Sequence, residues 1–408
     1  MIDLNENFRM HKNKIMLYLK FFGPAWLVMM ADMDASSTIG AAETGVLFKY
    51  GLIWFMLILI IPLYLVQEVS GRIGIATGTG LGDVIRKNYS KKTAVIMSFP
   101  MALTDVITYI IEYVGIAIGL ELMGIPVLIS LPVIYAIHLL VVAKREYHKT
   151  EKILIPITLI LIFSFVAVLF FRGPVNSSPF YFVPSTSYLF ILAVNVGAVI
   201  MPFMLFFQAS ATAKKINHVQ KSVSENYNIK KHAIHSMKIE TFLGATASEL
   251  LMVIVEMAFS GVSTTTNFAS PVQLASALDV IAGSFSQYLF GIGLIAAGFI
   301  ALIVISLGSA WGIVESLGIK KSNTFKVYIL ESLPAVIVGM VIPATMLINT
   351  ILYLLVIFVF DLIGPGIIMG LIAGNKKIMN NYSSNIKYRI LYWISLVFVV
   401  MFGIMALY

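Results

Sequence analysis

Apolar residues run along this chain in long blocks broken by short polar ones, without the alternation or amphipathic periodicity of a water-solvated domain. A helix needs about 20 mainly apolar residues to cross a bilayer. Eleven blocks meet that need, at roughly 22–45, 51–75, 94–121, 125–143, 151–171, 188–212, 239–260, 287–314, 327–343, 346–372 and 388–408, the ninth being the shortest. Two smaller elements are expected between them. One is a short surface helix starting at Pro271 and running through Asp279 in the 261–286 loop; the other is a helix-end turn at the glycine cluster Gly74 to Gly82. The first block is too long for a secretion signal and lacks a small-residue cleavage site, so a retained helix is expected. No polar stretch is long enough for a soluble domain. The pattern predicts a single all-α polytopic membrane domain over 1–408.

Composition agrees: 59% of the 408 residues are hydrophobic and 12% charged, with a mean hydropathy of +0.93. Soluble domains carry about twice that share of charge, which excludes a soluble enzyme, a nucleic-acid binder and a disordered scaffold. The net charge of +8 has a topological explanation. With the N-terminus inside, 26 of the 28 Lys and Arg fall in alternate, inner segments, leaving only Lys49 and Arg172 outside. That bias predicts a cytoplasmic N-terminus and an extracytoplasmic C-terminus in the cell membrane. The longest inner loop, 213–238, is basic and suits anionic lipid headgroups. Cysteine is absent, so disulfides, thiolate metal sites and cysteine nucleophiles are excluded. There is no Walker A sequence and no His-Glu-x-x-His, and no serine triad stands out, so no enzymatic activity and no cofactor is expected. No obligate protein partner is evident.

Carboxylates inside the blocks change the picture. Each costs about 2.5–3.5 kcal/mol at the bilayer centre on insertion scales. Asp32, Asp34, Glu43, Asp105, Glu112, Glu249, Glu256, Glu315, Glu331 and Asp361 lie in or near apolar segments that hold almost no cations, which suggests that the counter-charge is a passing cation. Glu43, Glu315, Glu331 and Asp361 are read as helix-end residues, snorkelling or protonated. Asp105 and Glu112, and likewise Glu249 and Glu256, stand seven residues apart, on one helical face two turns along. His138 is the one histidine inside a block and reads as an interface hydrogen-bonder. The first block is interrupted by Asp32-Met-Asp-Ala-Ser-Ser-Thr38, which predicts an unwound, ion-coordinating break. Gly197-Ala-Val-Ile-Met-Pro-Phe203 interrupts the sixth, where Pro202 removes a donor and frees carbonyls near Ala198. Interruptions at corresponding positions point to inverted repeats around a midplane site: repeat one at about 22–171, repeat two at about 188–372, and an extra helix at about 388–408.

These features resemble the Nramp family of divalent metal transporters, proton-coupled carriers of manganese and iron with the LeuT-type fold. Asp34-Ala-Ser-Ser37 stands where the family has Asp-Pro-Gly-Asn, and Met201-Pro-Phe203 where it has Met-Pro-His. Gly23-Pro24, Ser70 to Gly78, Glu112 to Leu120, Gly124-Ile-Pro126 and Phe290 to Gly298 are also similar. The likeness is good over residues 22–314, loose over the next two helices and absent from the last. It implies as metal ligands Asp34, Ser37, the carbonyl of Ala198 and the thioether of Met201, with the Ala31 carbonyl joining in an outward-open state. Glu112, with Asp105, is left as a proton or polar pathway. Phe203 replaces the histidine, Tyr109 replaces an acid one turn before Glu112, and the arginines of the ninth helix have no counterpart around Thr324 to Tyr328. Weak or no proton coupling is therefore expected. An uncoupled magnesium transporter of the Nramp-related type is the second reading, a LeuT-fold amino-acid transporter or a non-transporting Nramp-like sensor the third.

Overall fold

The structure, a computed structural model, describes residues 18, 20–143, 147–183, 185–221, 229–263, 270–343 and 348–406. Several sequence expectations lie outside these residues: the basic positions Arg9, Lys12, Lys14, Lys144 and Arg145, the first two residues of the tenth block, and the middle of the 261–286 loop. Among the described residues all regular structure is helical, as it must be where lipid offers the backbone no hydrogen-bond partner.

Nine helices among the described residues are long and apolar enough to cross a membrane. The shorter Val127–Val142 and an interrupted pair at the start of the chain complete the eleven expected spans. The first span is α1 (Pro24–Asp32) and α2 (Ala35–Phe48). The second is α3 (Ile53–Thr77), closed by Gly78 in the left-handed region (φ 70°) and followed by the short α4 (Leu81–Asn88). The glycine cluster is thus a helix-end turn. Then come α5 (Lys91–Glu121), α6 (Val127–Val142) and α7 (Tyr147–Arg172). The sixth span is α8 (Thr186–Val199) and α9 (Pro202–Gln220), and the seventh is α10 (Ile229–Phe259). The expected surface helix is α11 (Pro271–Ala282). The last four spans are α12 (Ser286–Leu317), α13 (Thr324–Val341), α14 and α15 (Ile348–Asp361 and Ile363–Gly374), and α16 (Ile386–Met405).

Burial sorts these helices into a centre and a shell. The α8–α9 span and α12 are enclosed along almost their whole length, whereas α5, α7, α13 and α16 each keep an open face. Large apolar side chains such as Leu128, Phe163, Phe170, Leu330 and Val397 stand on that outer surface, as a lipid-facing shell requires. Close approach at the centre depends on small residues. Gly197 on α8 is the tightest: a Cβ there would lie 1.7 Å from the Leu355 carbonyl oxygen of α14.

Two of the helix-end carboxylates are buried instead. The eighth span runs to Leu317, three residues beyond its expected end, so Glu315 stays inside the bundle and accepts from Ser210 Oγ at 2.9 Å. The ninth begins at Thr324, three residues early, which puts Glu331 mid-helix against Ser309 Oγ at 3.1 Å. Glu43 and Asp361 are half-buried near the ends of α2 and α14.

Candidate metal site

The first span breaks where hydroxyls and carboxylates replace apolar residues. Met33 leaves the helix (φ −79°, ψ 51°) and Asp34 is extended (φ −77°, ψ −178°), which makes Asp34 the N-cap of α2. Its Oδ1 accepts from the Ser37 N–H and from Ser36 Oγ, both at 2.7 Å, a reciprocal of the unpaired donors at any helix start. Its Oδ2 is buried without a partner. Ala31 lies on the last turn of α1, fully buried.

The sixth span breaks at Ile200 (φ −131°, ψ 90°) and Met201 (φ −91°, ψ 142°), with Pro202 opening α9, a position at which a missing N–H costs nothing. Met201 is the N-cap, and its N–H reaches Met204 Sδ at 3.5 Å.

The two breaks meet. Ser37 Oγ donates to the Ala198 carbonyl at 3.3 Å, so the expected ligands Asp34, Ser37 and Ala198 form one hydrogen-bonded chain. Met201 is three residues past Ala198, across the break. All four, with Ala31, are shut off from solvent in this conformation. Among the described residues no three or more His, Asp or Glu side chains gather into a metal-holding group. An ion at the breaks would rely on one carboxylate supplemented by hydroxyl, carbonyl and thioether.

Glu112 joins this arrangement from α5. Its Oε2 accepts from the Ala35 N–H at 3.1 Å, its Oε1 is unpartnered, and its carboxyl lies within reach of that of Asp34. Asp105 does not join. Two turns away, it is fully buried with both oxygens unpartnered and faces Glu331 and Asp361 as like charges.

The sequence placed Asp105 and Glu112 alone on their face; of the groups around them it singled out His138 as an interface hydrogen-bonder, which it is. His138 Nδ1 pairs with Tyr113 Oη at 2.7 Å and its Nε2 with Ser306 Oγ at 2.9 Å. With Tyr328, Ser309 and Glu331 these side chains form a buried polar patch between α5, α6, α12 and α13. The one-turn spacings Tyr109–Tyr113 and Ser306–Ser309 were the available signals. One omission is Glu240, whose Oε1 accepts from the Gly23 and Trp26 N–H groups at 2.7 and 2.8 Å and so caps the start of α1 from α10. Glu68 was also passed over; it is buried and paired with Arg72 four residues on.

The chain is similar to several known proteins. A divalent metal cation transporter MntH of Bacillus subtilis is 27% identical over 290 residues, covering 69% of this chain and 67% of the relative. Another, from Staphylococcus haemolyticus, is 28% identical over 313 residues, covering 73% and 69%. The manganese transporter of Eremococcus coleocola superposes with a TM-score of 0.80 at 16% identity, over 95% of this chain and 85% of that one. MhsT, solved with L-phenylalanine, superposes at 0.60 with 13% identity, over 95% and 97%. The fold is therefore of the LeuT type, two inverted five-helix repeats with one extra helix. The family described as natural resistance-associated macrophage protein-like matches residues 25–408, well past the point at which the recognisable motifs fade. The chain belongs to the Nramp family of membrane transporters.

Proposed function

We propose that this protein carries divalent metal cations across the cell membrane by alternating access around the two helix breaks. Asp34 holds the ion electrostatically, Ser37 and the Ala198 carbonyl complete an oxygen shell, and the Met201 thioether favours manganese or iron over harder ions. Ala31 contributes its carbonyl when the outer side opens. The observation that carries this reading is the buried, unpartnered Oδ2 of Asp34 beside the Ser37–Ala198 bond that joins the breaks. An acid there repels a substrate carboxylate, which disfavours an amino-acid cargo despite the shared fold.

In this reading the N-terminus is cytoplasmic, the C-terminus extracytoplasmic, and the chain works in the bilayer without an obligate protein partner. Repeat one spans about 22–171, repeat two about 188–372, with an extra helix at about 388–408. The ion is the cargo and no cofactor takes part.

Proton coupling is weak or absent. Phe203 cannot titrate, and Asp105, two turns from Glu112, is packed among other acids. The membrane potential suffices as a drive: a divalent ion entering at −100 mV gains about 4.6 kcal/mol, twice the single-charge value, enough for roughly a thousandfold accumulation. The test is uptake of manganese and of magnesium into proteoliposomes at a clamped negative potential, with internal pH followed by a dye. Manganese flux without acidification supports the reading. Acidification abolished by Glu112→Gln refutes the uncoupled mechanism, and magnesium flux without manganese flux favours the magnesium alternative, for which the short Ser37 would leave room for a partly hydrated ion.

A further inference from the structure

Helix α10 carries three acids toward the interrupted first span, at levels about two turns apart, and two of them have evident structural work. Glu240 caps the start of α1 through the Gly23 and Trp26 N–H groups. Glu256 accepts from the Leu52 N–H at 3.0 Å, holding the turn after α2. Glu249, between them, meets no donor: both of its oxygens are buried and unpartnered. It faces Asp32 as a like charge. Asp32, the last residue of α1, has one oxygen occupied by Ser248 Oγ at 2.6 Å and the other, Oδ1, buried and unpartnered. Asp32 is 1% exposed, Ser248 and Glu249 0%. No basic side chain pairs with either acid among the described residues.

Two adjacent carboxyls in a dry interior are costly unless something positive lies between them. The end of α1 adds to the field, because the carbonyls of a helix C-terminus favour a cation. We infer that Asp32, Ser248 and Glu249 form a second cation site, separate from the helix-break site, that takes a dehydrated sodium ion.

The donor chemistry selects the ion. Asp32 Oδ1, both Glu249 oxygens and the lone pairs that Ser248 Oγ keeps while donating its proton to Asp32 are all hard oxygens. With no thioether or imidazole, nothing favours a soft transition metal over hard cations. Magnesium keeps several of its waters, which this fully enclosed site does not admit, whereas sodium sheds its shell far more easily than any divalent ion. A single residue, Met33, separates Asp32 from Asp34, so sodium held here positions the break from its α1 side. The inference rests on the contacts between α1 and α10 and not on the reading of Asp34 as a metal ligand.

The test is equilibrium binding of radioactive sodium to the purified full-length protein in divalent-free buffer at constant pH, with manganese binding measured on the same samples in sodium-free buffer. The wild type should bind sodium saturably. Glu249→Gln should weaken sodium binding at least about tenfold while manganese binding persists, which also shows that the variant is folded. Ser248→Ala, a smaller change, should weaken it in the same direction. Absence of saturable sodium binding by a manganese-competent wild type overturns the proposal, as does sodium binding unaffected by either substitution. Sodium binding abolished by Asp34→Asn and untouched by Glu249→Gln would place the ion in the helix-break site and likewise overturn it.

Discussion

Asp34 serves two separable purposes, and two substitutions divide them. As the N-cap of α2 it offers Oδ1 to the Ser37 N–H and the Ser36 hydroxyl, both at 2.7 Å. As the proposed ligand it offers charge through the unpartnered Oδ2. Asp34→Asn keeps the capping oxygen and removes the charge; Asp34→Ala removes both. Loss of such a cap costs about 0.5–2 kcal/mol, partly offset by relief of an unpaired buried acid. Asn should therefore unfold near the wild-type temperature and Ala about 1 kcal/mol below Asn. Metal binding should behave differently. At an effective dielectric of about 20, a carboxylate about 2.2 Å from a divalent ion contributes roughly 15 kcal/mol before dehydration. Dehydration cancels most of that, and removing one partner of a buried charge pair costs about 3–5 kcal/mol net, more than a hundredfold in affinity. Both variants should thus lose manganese binding by at least about a hundredfold, measured by calorimetric titration alongside thermal unfolding in detergent. A folded Asp34→Asn protein with wild-type manganese affinity refutes the ligand assignment. Equal destabilisation by Asn and Ala refutes the capping argument.

Other substitutions test the remaining links between site and fold. Met201→Ala should weaken manganese or cadmium binding much more than magnesium binding, since only the softer ions gain from sulfur; equal losses for all ions in parallel titrations would make Met201 a shaping residue. Gly197→Ala brings a methyl against the Leu355 carbonyl and should destabilise by about 1–3 kcal/mol or more, because backbone on both sides cannot yield; an unchanged melting temperature would contradict the close approach. Glu68→Gln leaves Arg72 without its bidentate partner at 2.8 and 3.1 Å and should cost about 3–5 kcal/mol. Because Arg72 also holds the Tyr382 carbonyl and the Ser384 hydroxyl, proteolysis near Tyr382 should accelerate in step; a protein as stable and as resistant as wild type would show the pair to be dispensable.

By itself the sequence determined the class of the molecule, the number and order of its spans, and two of the three places where a span is divided; the division of the tenth at Leu362 it did not show. The first two follow from local physics, since a lipid-facing helix must be a long apolar block, and a run of acids and hydroxyls marks a break in one; a proline alone does not, because Pro62, Pro100, Pro132, Pro156 and Pro334 lie inside continuous helices. Asp34, Ser37, Ala198, Met201 and Glu112 became candidates on another ground, the resemblance to the family, which picks them out in or beside the interruptions and on the third span. Which carboxylate meets which partner was not legible, because that depends on helix rotation and on three-residue differences in helix length. Glu315 and Glu331 read as helix-end residues, yet Glu315 is packed against Ser210 and the Gly80 turn and Glu331 against Ser309, contacts that tertiary packing supplies. Likewise Glu240, Glu249 and Glu256 are similar acids on one helix. Only the packing of α10 against the first span gives two of them backbone donors and leaves the third facing Asp32. Contacts between residues some two hundred positions apart carry no mark in local sequence; the assembled bundle alone decided them.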